Sequence, residues 1–174
     1  IINLKLEKEI LNETRLIRLA YLRQKLLEES RKIKFDYLIM LDTDIFFNGN
    51  VINSGIKKIK EKKLDILGMN TLSYPFPWFY DFLPFTYENK THDPFKITKV
   101  GLKFLLPYEK IIQPESYYGG LMIFKKDVIN NNKINYETKE DICEHLKLNN
   151  KILSQGYKIS VINNITPIFE GIYS

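Results

Sequence analysis

Asp42 and Asp44 flank Thr43 at the end of an apolar run, residues 35–41 (FDYLIML). In a strand, side chains two residues apart point to the same face. Two ionised carboxylates held side by side are costly unless a cation lies between them. Oxygen-only ligands suit a hard ion, Mg²⁺ or Mn²⁺, which keeps several waters and bridges to substrate phosphates. The pair therefore points to a divalent ion and a diphosphate-bearing substrate. The plainer alternative is a strand-ending turn with two solvated aspartates. The apolar run ahead of the pair, and Phe46 and Phe47 behind it, predict a half-buried Asp42. A calcium loop of the EF-hand kind is excluded, because Phe46 stands where a third ligand belongs and no glycine follows at the required place.

A second acidic pair, Asp141 and Glu144, lies three residues apart, on one face of a helix expected over residues 137–155. Either carboxylate suits acid/base work or hydroxyl binding; a solvated helix face is the competing reading. His145 follows Glu144 directly and faces elsewhere on that helix, which predicts a structural or acceptor-side residue rather than a metal ligand. Cys143 is the only cysteine, so no internal disulfide and no cysteine-based zinc site is available, and it is expected in the core. Gly119 and Gly120 open the apolar run 119–124 (GGLMIF). They make either a plain turn or a place where backbone approaches a ligand closely.

The elements that must position these groups alternate. Leu16, Leu19, Ala20, Arg23, Leu26 and Leu27 recur at helical spacing, with no proline or glycine until well past Arg31. Residues 35–41 read as a buried strand, 42–50 as a loop, 51–63 as an amphipathic helix and 64–70 as a second strand. Strand, helix, strand predicts a βαβ unit and a mostly parallel sheet. In open sheets of this kind, ligands bind beyond the carboxyl ends of the strands, where Asp42 and Asp44 stand. Residues 119–124 and 158–163 supply further strands, and Gly156 marks the end of the acidic helix. Between them, residues 74–85 (YPFPWFYDFLPF) are dense in aromatics and proline. Proline forbids a continuous helix or central strand there. The segment is either a glycan-stacking surface or a loop packed by its own rings.

Composition sets the bounds. The chain has 174 residues, 44% hydrophobic and 13% aromatic, enough for one domain with a real core and against disorder. No run of about eighteen apolar residues is present, so no membrane-spanning helix is expected. The net charge is +5, but the tightest lysine group, Lys57, Lys58, Lys60, Lys62 and Lys63, reads as the solvated face of one short helix. Nucleic acid is therefore not expected as a partner. Triplets beginning at Asn12, Asn89 and Asn164 fit glycosylation sequons, as expected by chance in an asparagine-rich chain. Localisation stays open between the secretory-pathway lumen and a viral or cytoplasmic site of glycan synthesis.

The order of these pieces resembles a GT-A (Rossmann-like) glycosyltransferase. Residues 18–27 (RLAYLRQKLL) resemble the arginine-bearing helix of the fold's mannosyltransferase-like members, and 35–47 their strand and Asp-x-Asp motif. Residues 118–124 (YGGLMIF) resemble the turn that approaches the donor sugar, and 141–146 with 156–163 the closing acidic helix and strand. Within the fold, the likeness is to the fungal capsule-associated (alpha-1,3-)mannosyltransferase group.

The resemblance implies metal-dependent transfer of a hexose from a nucleotide-sugar, GDP-mannose first, to a glycan or glycoprotein acceptor. It implies metal ligation by Asp42 and Asp44, and donor binding by Arg18, Arg23, Asp42, Gly119 and Gly120. It implies catalytic roles for Glu144 and Asp141, and acceptor contacts by Trp78, Tyr118 and His145. Arg23 has a second reading, in which it orients Asp42 from a packed helix. Residues 1–174 are expected to form a single catalytic domain, a fragment of a longer chain whose N-terminal nucleotide-binding part is incomplete. Two alternatives stay open: a haloacid-dehalogenase-like phosphatase built on Asp42 and Asp44, and a non-catalytic glycan-binding relative.

Overall fold

The computed structural model describes residues 8–43, 45–47, 49–69, 71–73, 78–79, 86–87, 90–91, 111–137, 143–162 and 168–170. Asp44 and Asp141, and most of the aromatic stretch 74–85, lie outside these.

Two helices open the chain, α1 (Lys8–Leu11) and α2 (Arg15–Arg31). Thr14 caps α2, its side-chain oxygen accepting from the Ile17 amide at 3.4 Å. Strand β1 (Tyr37–Leu41) follows, then β2 (Ile45–Phe46), α3 (Asn50–Lys62), β3 (Ile66–Met69) and β4 (Thr71–Ser73). Short strands β5 (Trp78–Phe79), β6 (Thr86–Tyr87), β7 (Lys90–Thr91) and β8 (Ile111–Ile112) precede β9 (Leu121–Lys125). The chain continues through α4 (Lys126–Asn130), α5 (Glu144–Ser154), β10 (Ile159–Ile162) and β11 (Ile168–Glu170).

The main sheet has the order β1-β9-β3-β10-β8. Strands β1, β3 and β10 run in one direction; β9 and β8 run against them. The expected βαβ unit is present in the chain, but its strands are not neighbours. Strand β9 lies between β1 and β3, with Ile39 opposite Ile123 and Leu67 opposite Ile123 on the other edge. In this sheet only β3 and β10 make an adjacent parallel pair. A second sheet, β2-β11-β4-β5, continues from the end of β3, and β6 and β7 form a separate hairpin.

Alternation along the strands sends side chains to two cores. Tyr37, Ile39, Leu121, Ile123, Leu67 and Met69 face α3, where Val51 and Ile59 meet them. Leu38, Met40, Met122, Phe124 and Ile66 face the other way, toward Leu27 of α2, Val128 and Ile129 of α4, and Leu148 and Ile152 of α5. Gly55 lets α3 lie close on the sheet: a Cβ there would stand 2.7 Å from Ile123 Cδ1.

The acidic helix starts later than its periodicity predicts. It begins at Glu144, not Glu137. Glu137 is outside it and takes Lys147 Nζ at 2.9 Å and Lys151 Nζ at 3.0 Å. Residues just ahead are pinned by tertiary bonds: the Tyr136 amide donates to Gln24 Oε1 at 2.8 Å, and Lys151 Nζ to Asn135 Oδ1 at 2.6 Å. Those bonds hold 135–137 off the helix axis with no proline or glycine to mark the break.

Candidate active site

Asp42 follows the last residue of β1. By the strand's alternation it belongs with Leu38 and Met40, on the side of α2 and α5. Its backbone amide donates to the Gly120 carbonyl at 2.9 Å, so the Gly119–Gly120 turn lies directly against it. Both glycines have positive φ, 67° and 72°. At Gly119 a side chain is doubly refused, since a Cβ would fall on the Tyr117 phenol, whose hydroxyl is bonded to the Met69 carbonyl at 2.5 Å.

Three elements then converge on one carboxylate. Arg23 of α2 donates through Nη2 to Asp42 Oδ1 at 2.8 Å. Tyr118, just before the turn, donates its hydroxyl to the same oxygen at 2.9 Å. Through Nη1, Arg23 also pairs with Oε1 of Glu144, the first residue of α5. The guanidinium lies over the Tyr118 ring, 5.0 Å from its centroid. The Glu144 carboxylate sits at the positive end of its helix and is 3% exposed.

Behind Tyr118 stands His145. The two rings stack, with centroids 3.6 Å apart and planes 12° from parallel. Tyr136 meets the histidine edge-on, its hydroxyl 3.4 Å from Nδ1. The same hydroxyl donates to Met40 Sδ at 3.4 Å. His145 Nε2 is buried without a hydrogen-bond partner among the described residues, 3.7 Å from Glu144 Oε1.

Burial, then the nearby Arg23 charge, holds the His145 pKa well below the ordinary histidine value, so the ring is neutral at neutral pH. Burial, reinforced by the Asp42 charge, pushes the Tyr118 phenol far up. Burial also raises Tyr136. Burial works against the charge on Arg23, but Tyr118, Tyr136 and Asp42 outweigh it, and its pKa is raised.

Arg23, Asp42, Tyr118, Gly119, Gly120, Glu144 and His145 are thus gathered in one place, and Arg18 is not. Arg18 lies on another face of α2 and donates to the Leu11 carbonyl at 3.3 Å; five residues of helix separate it from Arg23 by about 140°. Tyr118 and His145, expected at the acceptor side, are buried, 2% and 3% exposed, with one face of each ring stacked on the other. Arg23 contacts Asp42 and Glu144, a geometry compatible with its second reading. Glu144 opens α5, and Asp141, expected on the same helix face, lies outside the described residues. Trp78 belongs to β5 of the second sheet. Tyr136 carried no sequence signal, since it sits in an irregular stretch where a buried tyrosine reads like an exposed one.

Among the described residues, no group of three His, Cys, Asp or Glu side chains gathers to hold a metal. Asp42 Oδ2 has no partner among them, on a side chain 25% exposed. A hard ion needs no more than one or two protein carboxylates when water and a diphosphate complete its shell. Asp42, with Asp44 two residues on, fits that modest demand.

No family model matches the chain, and no curated protein sequence does. Solved structures do. The chain is similar to S. aureus TarS 1-349, with a TM-score of 0.53 at 13% identity over 87% of this chain and 39% of that one. It is similar to the same protein in complex with UDP-GlcNAc, with a TM-score of 0.54 at 12% identity over 87% and 38%. It also matches TarS itself, with a TM-score of 0.54 at 13% identity over 86% and 24%. TarS is a GT-A-type glycosyltransferase. At this identity the likeness is one of fold, and the chain spans about two fifths of the length of the first structure it matches. The fold expectation, an α/β sheet flanked by helices of GT-A type, agrees with it. The fungal mannosyltransferase group finds no support in these comparisons.

Proposed function

We propose that this domain transfers a sugar from a nucleotide-diphosphate donor to a glycan or glycosylated acceptor, with Mn²⁺ or Mg²⁺ bound at the carboxyl end of β1. The observation that carries the reading is the state of Asp42. One of its oxygens is claimed by Arg23 and Tyr118, and the other has no partner among the described residues. The fold likeness to a GT-A-type glycosyltransferase supports the same assignment.

Charge makes the argument sharper. Arg23 is shared between Asp42 and Glu144, so two carboxylates face one described cation, and Asp44 adds a third in the sequence. A diphosphate brought to that place meets excess negative charge. A divalent ion satisfies both sides at once. When bound, it supplies Lewis-acid stabilisation of the departing diphosphate.

The protein's own groups do the rest. Asp42 through Oδ2, and Asp44, hold the ion. Gly119 and Gly120 let the sugar approach the backbone beside Asp42. Arg23 keeps Asp42 turned. Glu144, paired and buried, supports the site, and Asp141 is the acidic group left for the acceptor or acid/base role. Trp78 and its aromatic neighbours in sequence form the acceptor side.

The resemblance in residues favours GDP-mannose as donor; the UDP-GlcNAc held by TarS favours a uridine nucleotide. Calorimetric titration of both, with and without Mn²⁺, on wild type and Asp44→Ala decides. Binding of one donor that needs both Mn²⁺ and Asp44 is the expected result. Glycan binding that needs neither would replace transfer with a non-catalytic glycan-binding role. A beryllium fluoride adduct on Asp42 would replace it with phosphatase chemistry.

A further inference from the structure

Arg23 is the charged group whose two carboxylate partners set how Asp42 is presented. An arginine near a diphosphate site is ordinarily taken as a phosphate ligand. Here both of its terminal nitrogens already hold carboxylates. Nη2 is on Asp42 and Nη1 is on Glu144, carboxylates from elements about a hundred residues apart in the chain.

We propose that Arg23 is a positioning residue, backed by the Tyr118–His145 stack, that fixes Asp42 and the first turn of α5 as one unit and so presents the second Asp42 oxygen to the metal. This rests on the transferase reading for its purpose, though not for its geometry. Three observations carry it. First, the Arg23 and Glu144 side chains are 14% and 3% exposed, so neither charge can be left to water. A buried carboxylate without its cation is strongly destabilising. Second, Tyr118 delivers a second hydrogen bond to the same Oδ1, and that phenol is held flat by His145. Both bonds to one oxygen fix the carboxyl plane and leave the other oxygen's direction determined. Third, the planar fork aims two separate N–H edges at carboxylates from different elements, whereas a lysine ammonium is a single point on a flexible stem and fixes neither carboxylate's plane.

The geometry separates this role from a phosphate ligand and from a purely structural one. Arg23→Lys keeps the charge and loses the fork. The expected result is at least a tenfold loss of affinity for Mn²⁺ alone, read by electron paramagnetic resonance titration without any nucleotide. A phosphate ligand would leave Mn²⁺ alone unchanged and weaken only UDP-GlcNAc or GDP-mannose. A structural residue would shift unfolding and leave Mn²⁺ affinity where it was. Tyr118→Phe is the second variant; it keeps the stack, removes one bond to Asp42 Oδ1 and is expected to weaken Mn²⁺ in the same direction, about threefold.

A cycle in urea needs no ligand. Asp42→Asn and Glu144→Gln are expected to be non-additive by about fivefold or more in the unfolding equilibrium constant, because the double variant strands a buried arginine. In an Arg23→Gln background that coupling disappears. Additive single variants overturn the proposal whatever binds. If wild type binds neither Mn²⁺ nor either nucleotide-sugar, the transferase reading falls and the cycle still decides the coupling.

Discussion

The two faces of the main sheet are built from different chemistry. The α3 face is aliphatic: Val51, Ile59, Leu67, Met69, Leu121, Ile123 and Ile162 close it. The opposite face, under α2 and α5, carries Tyr117, Tyr118, Tyr136, Glu144, His145 and Asn149, all buried. Asn149 is held through its nitrogen, which donates to Ser116 Oγ at 2.9 Å and to the Tyr117 carbonyl at 2.8 Å, while its Oδ1 is buried without a partner among the described residues. Polar burial costs free energy unless it is matched bond for bond. The difference teaches that one face supplies stability and the other uses part of it to aim side chains. Asp42 belongs to the second face because it continues the alternation of Leu38 and Met40.

The comparison is broken most forcefully on the aliphatic side. Ile59→Ala opens a cavity at a fully buried site and is expected to cost about 2–5 kcal/mol. Donor and Mn²⁺ affinity should stay within about twofold of wild type, measured well below the melting temperature. A large loss of affinity in a folded variant would mean that the two faces are not independent. On the other side, Asp42→Asn is expected to invert the pattern. Donor binding should fall about a hundredfold, some 2.7 kcal/mol, because the neutral amide oxygen binds a hard cation far more weakly than a carboxylate does. Calorimetry and denaturation of the same sample check both halves of that statement.

Much of this was legible in the residues. The run 35–41 had to be a strand, and its carboxyl end had to present Asp42. The Gly119–Gly120 turn announced itself by composition. Sheet adjacency was hidden, because a strand-helix-strand pattern specifies direction but not neighbours, and the insertion of β9 between β1 and β3 is a long-range choice. Tyr118 and His145 were hidden for another reason. An aromatic beside a glycine turn reads the same whether it meets a sugar or a neighbouring ring, and only the 3.6 Å stack distinguishes them. For Arg23, the sequence offered both a ligand and a strut; what chose between them was Glu144 arriving from the start of α5.

The polar face should also respond to acid where the aliphatic face does not. His145 is kept neutral by burial and by Arg23, with Glu144, Tyr118 and Tyr136 as its other neighbours. Its folded pKa lies below its unfolded one, so the unfolded state binds the extra proton. This contribution is fully present above the unfolded pKa near 6.5 and is lost as pH falls below it, by up to about 1.4 kcal/mol per pH unit. His145→Phe keeps a ring on Tyr118 and removes the proton site. Wild type should lose stability toward acid faster than the variant. Parallel curves between about pH 4 and 6.5 would show that His145 is protonated in the fold.

Among the described residues, the aliphatic side carries a buried hydroxyl, Ser160. Ser160 lies between Ile159 and Val161, which face α2 and α5, so its side chain points toward α3. It is 0% exposed, and its hydroxyl has no hydrogen-bond partner among the described residues. A buried hydroxyl without a partner forfeits its hydration and receives nothing in return. Ser160→Ala removes it at little change in volume and is expected to stabilise the domain by about 1 kcal/mol, read as a higher urea midpoint with an unchanged slope. The equivalent truncation on the polar face, Asn149→Ala, removes a side chain whose amide makes two bonds and should destabilise instead. If Ser160→Ala destabilises, the hydroxyl has found a partner, and the α3 face is less dry than its aliphatic lining implies.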